Sequence, residues 1–437
     1  MSNYNVTAEQ STKFVIRELY IVAPDNSRYD LSDVYQELNL FDNLFMPCVS
    51  GNIQVTDAVD FGGKLQLFKG NRKLKIVIDK SNEYVPDLRY EKEFIIYKHT
   101  NLKNLNMSSK TYTLHFVSEE FLLSMQKKVS QNYVGTYSDI TATILMNELK
   151  VPESAPRNGL GGIGTIYPSD GPQNIIIPTL TPFDAINWVT KRTVSTYSND
   201  GGDPDYVFFE TAQEGYNFAP LKYFMDLPSS FSINFNPKNL TDNLSQEFTG
   251  ARDMKVLSNF SLIDTVKDGV YAGKFVGFDT LTKTFKITSV KTVFEKDKNQ
   301  NNLADGLNKE KKKYSDMNDS RVVTYPFATP RLTDAYIQDF SAQEVNFADN
   351  TQDYIFQRKA IFSNLMQRRL QLMMPGNFAL FSGGTVDVTV PKYAIDDGKG
   401  TKDKSLSGKY LITGTRHVIR ADKHETLIEV ATDNIEN

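Results

Sequence analysis

Several groupings of residues in this 437-residue chain have the types that do chemistry, and each fails on spacing or context. Gly159, Gly161 and Gly164 form a G-x-G-x-x-G pattern, which in a strand–turn–helix unit cradles a pyrophosphate. Such a site needs a strand before it and a helix after it, so that free helix N–H groups meet the phosphates. Here Pro152–Arg157 precedes and Tyr167–Pro172 follows, so the glycines read as a loop. Asp200, Asp203 and Asp205 make an acidic cluster, and counting from Asp203 puts Glu214 at the twelfth position of a calcium loop. The sharp turn of that loop demands Gly at its sixth position, where Phe208 stands. His99, His115, His417 and His424 lie in or beside strand patterns without metal-ligand spacing. Glu119 and Glu120 are adjacent rather than facing across a cleft, so they do not form a glycosidase pair. Lys309 and Lys311–Lys313, interleaved with Glu310, read as a solvated loop. No catalytic residue, metal ligand or cofactor site is assigned, and the chain is expected not to be an enzyme.

Composition points the same way. A net charge of −4 gives no overall nucleic-acid footprint. Apolar residues at 40% supply enough material for several cores, and a chain this long is expected to divide into a few domains. Cys48 is the sole cysteine, which fits synthesis in a reducing compartment. The N-terminal segment is polar, and no run approaches the ~20 apolar residues that span a bilayer. The expectation is a protein made in the cytosol that stays soluble, without stable membrane insertion.

Most of the chain carries the period-two alternation of half-buried strands. Residues 14–123 are strand-rich, with Ile53/Val55, Leu74/Ile76/Ile78, Phe94/Ile96 and Tyr112/Leu114/Phe116 alternating. One exception is 30–45, where Val34, Leu38 and Phe41 suit a helical face. Between 137 and 225 the pattern becomes mixed. Ile140, Ile144, Leu145 and Leu149 form a helical stripe with Ser138 as its expected cap. A second helix starts at Thr181 with Pro182 and Asp184 in its first turn, and two short strands turn at Glu214-Gly215. Residues 270–290 read as a hairpin, 295–320 as a charged exposed stretch, and 321–350 as irregular. A helix from about 353 to 373 leads into closing strands after Pro375.

Two strands near opposite ends share one sentence. Gly51, Ile53, Val55 and Thr56 match Gly384, Val386, Val388 and Thr389 in the order Gly, polar, β-branched, polar, Val, Thr. The reading is a mainly β protein with α+β parts. It has two β-barrel domains in one chain, a smaller α+β domain and an irregular insertion. The expected boundaries are 1–130 for the first barrel and 131–245 for the α+β domain. The second barrel takes 246–294 and 351–437, split by the insertion at 295–350. The Gly-rich loop 394–409, with Asp396, Asp397, Lys399, Lys402 and Lys404, is longer than a connection requires and is a candidate partner-contact loop.

The segments 365–391, 409–420 and 424–433, with 175–195 and 259–285, resemble in content and order the baseplate central hub proteins of T-even-like contractile-tailed bacteriophages. The strand at 50–58 is similar to a tail-tube element. This resemblance implies two tail-tube-like barrels per chain and a homotrimer presenting six equivalent units. Such a hub joins the hexameric tail tube, or a tube initiator, to the trimeric cell-puncturing spike. It also implies contacts with baseplate wedge proteins and, as a further candidate, the tape-measure protein. DNA would be met only in transit through the lumen. Location in the virion tail baseplate follows, after assembly in the host cytoplasm. The rival readings are a tail-tube or tube-initiator protein, a spike component of a type VI secretion-like contractile system, and an envelope-degrading tail enzyme. The last would need an acid pair or a metal site.

Overall fold

The computed structural model describes residues 14–23, 25–64, 72–82, 85–105, 109–153, 162–197, 204–235, 250–257, 262–267, 269, 272–279, 283–291, 321–327, 351–392, 402–403 and 405–432. The molecule is mainly β, and apart from one single-turn helix near the N-terminus its described helices lie in the middle of the chain and in one insertion.

Period-two burial organises the N-terminal unit. Strands β1 (Val15–Val22), β2 (Arg28–Asp30), β3 (Tyr35–Asn43) and β4 (Ser50–Asp57) are followed by a one-turn helix, α1 (Phe61–Lys64). Strands β5 (Arg72–Asn82), β6 (Val85–Asn104) and β7 (Lys110–Ser118) complete the unit. They pair antiparallel in the order β2-β1-β5-β6-β7-β4-β3. Alternate residues, among them Leu19, Ile53, Leu74, Phe94 and Leu114, are fully buried in one cluster. Each such side chain contributes about 1.5–3 kcal/mol of transfer free energy. All seven strands share that cluster, and the Leu31 N–H extends the β1–β2 ladder by donating to the Leu19 carbonyl (2.8 Å). The helical reading of 30–45 is corrected, because Tyr35–Asn43 is a strand. After a bulge between Tyr35 and Glu37, Leu38, Leu40 and Asp42 are buried and Phe41 is only partly so, which is period two. Hydrogen-bonding partners on both edges of β3 override its local helical spacing.

The middle unit comprises α2 (Glu119–Gln126), β8 (Asn132–Gly135), α3 (Tyr137–Glu148), β9 (Ile163–Ile166), β10 (Gln173–Ile176), α4 (Pro182–Thr190), β11 (Tyr206–Thr211), β12 (Gly215–Pro220) and α5 (Leu221–Asp226). Strands β8 and β10 form one antiparallel pair. Strands β11 and β12 form a hairpin, with β9 parallel to β12. The expected stripe of Ile140, Ile144, Leu145 and Leu149 packs with Phe183, Ile186 and Val189 in one core. Helix α4 is capped as expected, the Thr181 hydroxyl accepting from the Asp184 N–H (3.2 Å) with Pro182 in the first turn. For α3 the cap is Thr136, two residues before the expected Ser138. Its hydroxyl accepts from the Asp139 N–H (3.2 Å), and the Asp139 carboxylate accepts from the Thr136 N–H (3.3 Å), a reciprocal box. Ser138 instead faces inward against Ser169.

The C-terminal unit is a barrel. Its staves are β13 (Phe231–Phe235), β14 (Gly250–Ala251), β15 (Asp253–Val256) and, after an insertion, β19 (Arg369–Pro375), β20 (Thr385–Thr389), β21 (Gly408–Arg420) and β22 (His424–Ala431). The pairings run a full circuit from β13 through β20, β21, β22 and β19 to β15. Strand β14, one residue from β15 on the same extended segment, returns to β13. Ile233, Leu370, Leu372, Val386, Val388 and Ile412 belong to the core it encloses. The helix expected to run to residue 373 ends earlier, and Arg369–Pro375 is a strand. Leu370, Leu372 and Met374 alternate inward between two hydrogen-bonded neighbours, which outweighs the helix propensity of this Leu/Met/Arg-rich segment.

The insertion holds α6 (Leu262–Lys267), β16 (Ala272–Asp279), β17 (Thr284–Lys291), β18 (Arg321–Phe327) and α7 (Thr351–Gln367). The hairpin expected at 270–290 exists, but it is not a barrel stave; with β18 parallel to β16 it forms a separate three-stranded sheet. The barrel's remaining staves come instead from 231–235, 250–256 and 369–375, the first lying within the stretch given to the α+β domain. Residues 321–327, expected to be irregular, are a strand, and the remainder of 295–350 lies outside the described residues.

Thr136→Ala should cost about 1 kcal/mol in urea unfolding through loss of the α3 cap. Asp139→Ala should be non-additive with it, since the two groups cap one another.

Candidate functional site

The duplicated strands occupy matching positions in alternation but not in neighbourhood. In β4, Ile53 and Val55 are fully buried, Gln54 is exposed, and Thr56 accepts from the Gln36 amide (2.6 Å). In β20, Val386 and Val388 are buried, Asp387 is exposed and Thr389 is half-buried. The two glycines differ. A Cβ on Gly51 would lie 2.4 Å from the Asn39 carbonyl oxygen and the Phe116 ring, so only glycine fits. Around Gly384 the nearest atom would be 3.3 Å away. Strand β4 has antiparallel neighbours on both sides, whereas β20 has antiparallel β21 and parallel β13.

The two units are joined by one strand. The first half of β21 pairs with β20, and its second half, from Gly414↔Asn43 to Arg420↔Glu37, pairs with β3. On its outer face Glu37 bonds Arg420 (2.9 Å) and Asn39 accepts from Arg416 (2.9 Å). On its inner face Asp42 is buried and accepts from the Ser382 hydroxyl (2.6 Å), the Ser382 N–H (3.2 Å) and the Thr415 hydroxyl (2.7 Å). Burial pushes its carboxyl up to about 6, against those hydrogen bonds, which lower it.

The middle unit is tied to the first by a buried ion pair. Glu210 on β11 is fully buried and accepts from the Lys92 ammonium, the Ser118 hydroxyl (2.6 Å) and the Val49 N–H (2.9 Å). Burial alone would lower Lys92, but the Glu210 and Glu120 carboxylates hold it above the usual lysine range. Burial, reinforced by Glu210, pushes Glu120 up. Helix α7 is clamped through Arg358, which donates to the carbonyls of Pro204 (2.8 Å) and Tyr206 (2.9 Å) and stacks on Phe362. Burial pulls Arg358 down to about 10, opposed by Asp205. Around the clamp Leu44, Phe209, Phe224, Leu365 and Leu411 form one apolar cluster drawn from all three units and α7.

The chemistry-bearing residues take structural roles. Gly164 is a strand residue of β9, where a Cβ would lie 2.4 Å from the Glu214 carbonyl oxygen; Gly159 and Gly161 lie outside the described residues. Asp205 accepts from the Lys222 N–H (2.8 Å) at the start of α5, and Glu214 sits in the β11–β12 turn; Asp200 and Asp203 lie outside the described residues. Glu119 pairs with Lys73 (2.8 Å), and His115 bonds the Thr100 hydroxyl (2.8 Å). Cys48 is buried, and burial pushes its thiol up, away from reactive thiolate. The β21–β22 register brings His417 and His424 together, Nδ1 to Nε2 at 3.2 Å, against the Phe378 ring. Sequence spacing hid this pair, because it depends on hairpin register. Among the described residues no three His, Cys, Asp or Glu side chains gather as a metal site. Of the proposed contact loop, Lys402 is exposed and bridges to Pro391; Asp396, Asp397, Lys399 and Lys404 lie outside the described residues.

Removing one partner of the buried pair, by Lys92→Met or Glu210→Gln, should cost about 3–5 kcal/mol in urea unfolding. The double variant should lose much less than the sum, because neither charge is then left alone. Asp42 gives a pH signature. Its raised carboxyl makes the native state hold its proton more tightly, so its contribution is fully present below pH 4. That contribution is lost as pH rises through 6, by up to about 3 kcal/mol. Asp42→Asn should remove this dependence and gain on the parent by that amount between pH 4 and pH 7, as read from paired unfolding curves.

No protein-family model matches the sequence, and no curated protein matches it significantly. Solved structures do match the fold. A tail protein from Neisseria meningitidis MC58 superposes with a TM-score of 0.53 at 10% identity, over 96% of this chain and 97% of that one. The 43 kDa tail protein of prophage MuSo2 from Shewanella oneidensis gives 0.51 at 10% identity, over 94% and 97%. Over nearly its whole length, the chain has the fold of these two tail proteins.

Proposed function

We propose that this chain is a non-enzymatic structural component of a contractile-tail baseplate, the central hub that joins tail tube to spike. The observation that carries the reading is the pair of β units, each with the same inward strand pattern, fused through β21 in one chain with a tail-protein fold. Three such chains would present six tube-like units to a hexameric tube and threefold symmetry to a trimeric spike. The partners are a second and third copy, the spike, the tube or its initiator, and wedge proteins; the tape-measure protein is a further candidate. DNA passes through the lumen without being held. A continuous basic lining would retard it at each phosphate, and the net charge of −4 is compatible with a lumen free of one. Interfaces that carry such load commonly bury more than ~2,000 Å².

Light scattering on the purified chain should give about three times its 49.5 kDa. A monomer that stays monomeric with its cognate spike protein would overturn the hub. Purified chain should release no peptidoglycan fragments; release would overturn the non-enzymatic assignment.

A further inference from the structure

The three-stranded sheet of the insertion has two unlike faces. Strand alternation puts Gly273 and Phe275 of β16 on one face, which α7 covers. Phe275 is fully buried there, and a Cβ on Gly273 would lie 2.1 Å from the Phe356 ring. The register puts Val276 and Phe278 of β16 beside Ile287 and Phe285 of β17 on the opposite face, with Val322 of β18 opposite Lys274. Phe285 is 70% exposed, Ile287 61% and Val322 59%. The Phe278 and Phe285 rings pack at 4.8 Å, so the apolar strip is ordered rather than splayed.

Among the described residues, charge on this face has one sign. Lys274, opposite Ser289, stands at one end, and Lys283 in the hairpin turn stands at the other. From Lys283 to Ser289 is six residues, roughly 20 Å of strand. Asp279 is the single acidic residue in the sequence of the three strands. The strands carry Lys274, Lys286, Lys291 and Arg321 against Asp279, in a chain whose net charge is −4.

We propose that this face docks an extended segment of a different protein, apolar along its middle and carrying carboxylates at both ends, about 20 Å apart. An apolar strip of this exposure marks an interaction site. A twofold contact between copies would set lysine against lysine, which charge disfavours. Phe285 is the one largely exposed ring among the aliphatic Val276, Ile287 and Val322, whereas a strand of successive stacked bases needs a series of ring platforms, which disfavours single-stranded nucleic acid. The docking surface stands whether or not the chain is a trimeric hub.

The probe is a biotinylated seven-residue peptide with Glu at both ends and alternating Val and Ile between, displayed on streptavidin. Its control has Lys at both ends. The full chain should bind the Glu-ended peptide at least about tenfold more tightly. Lys274→Glu with Lys283→Glu should reverse that preference. Phe285→Ser with Ile287→Thr should abolish binding of both peptides while leaving the thermal unfolding midpoint within a few degrees of the parent. No preference between the peptides, or a preference that survives both double variants, overturns the proposal. So does binding to phosphatidylglycerol vesicles that the Phe285/Ile287 variant loses, which would make the face a membrane surface. A fall in oligomeric mass caused by that variant would make it a self-contact and likewise overturn the proposal.

Discussion

A β-strand has two edges, and every backbone N–H and C=O on a buried edge must find a partner; the arrangement of this molecule follows from how β21 spends its edges. Along one edge it pairs with β22 from Leu411 to Ile419. Along the other it pairs first with β20, completing the C-terminal barrel, and then with β3, the terminal strand of the N-terminal unit. The change of partner falls at a bulge between Ile412 and Gly414, where Thr413 turns its carbonyl to accept from the Leu44 N–H (2.9 Å). Without β21, β3 would present an open edge and the barrel would lack a stave. The two β units are thus one hydrogen-bonded sheet rather than beads on a linker.

The buried charges sit where units meet rather than inside any one core. Glu210 takes its donors from β6, β7 and the segment after β3. Asp42 takes its donors from β21 and the segment before β20. Arg358 reaches from α7 to the backbone before and within β11. Apolar residues of equal volume could match these groups in stability, because burying an ion costs much of what pairing returns. A carboxylate with three directed donors tolerates little sliding, however, so these groups fix the relative position of the units. The outer salt bridges of Glu37 with Arg416 and Arg420 are partly solvated and contribute little energy, though they favour the observed register.

The insertion leaves the barrel between β15 and β19, adjacent staves paired in register from Asp253↔Met373 to Val256↔Leu370. It therefore emerges from one end of the barrel and can be large without disturbing the ladder. Helix α7 returns from it across the middle unit, with Leu365 in the cluster shared by all three units. The same helix packs on the three-stranded sheet through Phe356 against Gly273.

Much of the β content was legible in the residues themselves. Ile53/Val55, Leu114/Phe116 and Val386/Val388 alternate because one side of each strand must avoid water, and that demand is written locally. The Thr181-Pro182-Asp184 start of α4 was equally local, since a cap needs only its own next three residues. What sequence could not decide was everything that depends on a neighbouring edge. Tyr35–Asn43 and Arg369–Pro375 carry spacings compatible with a helix and became strands because partners on both sides took up their backbone groups. The hairpin at 272–291 could have been a barrel stave by composition; pairing with β18 placed it elsewhere. The His417–His424 contact, the Glu210–Lys92 pair and the donors around Asp42 join positions up to 373 residues apart. Sequence determined which faces are apolar, because hydration acts on each residue where it stands. Tertiary structure decided which strand lies beside which, because hydrogen-bond complementarity belongs to pairs of edges and no single segment contains it.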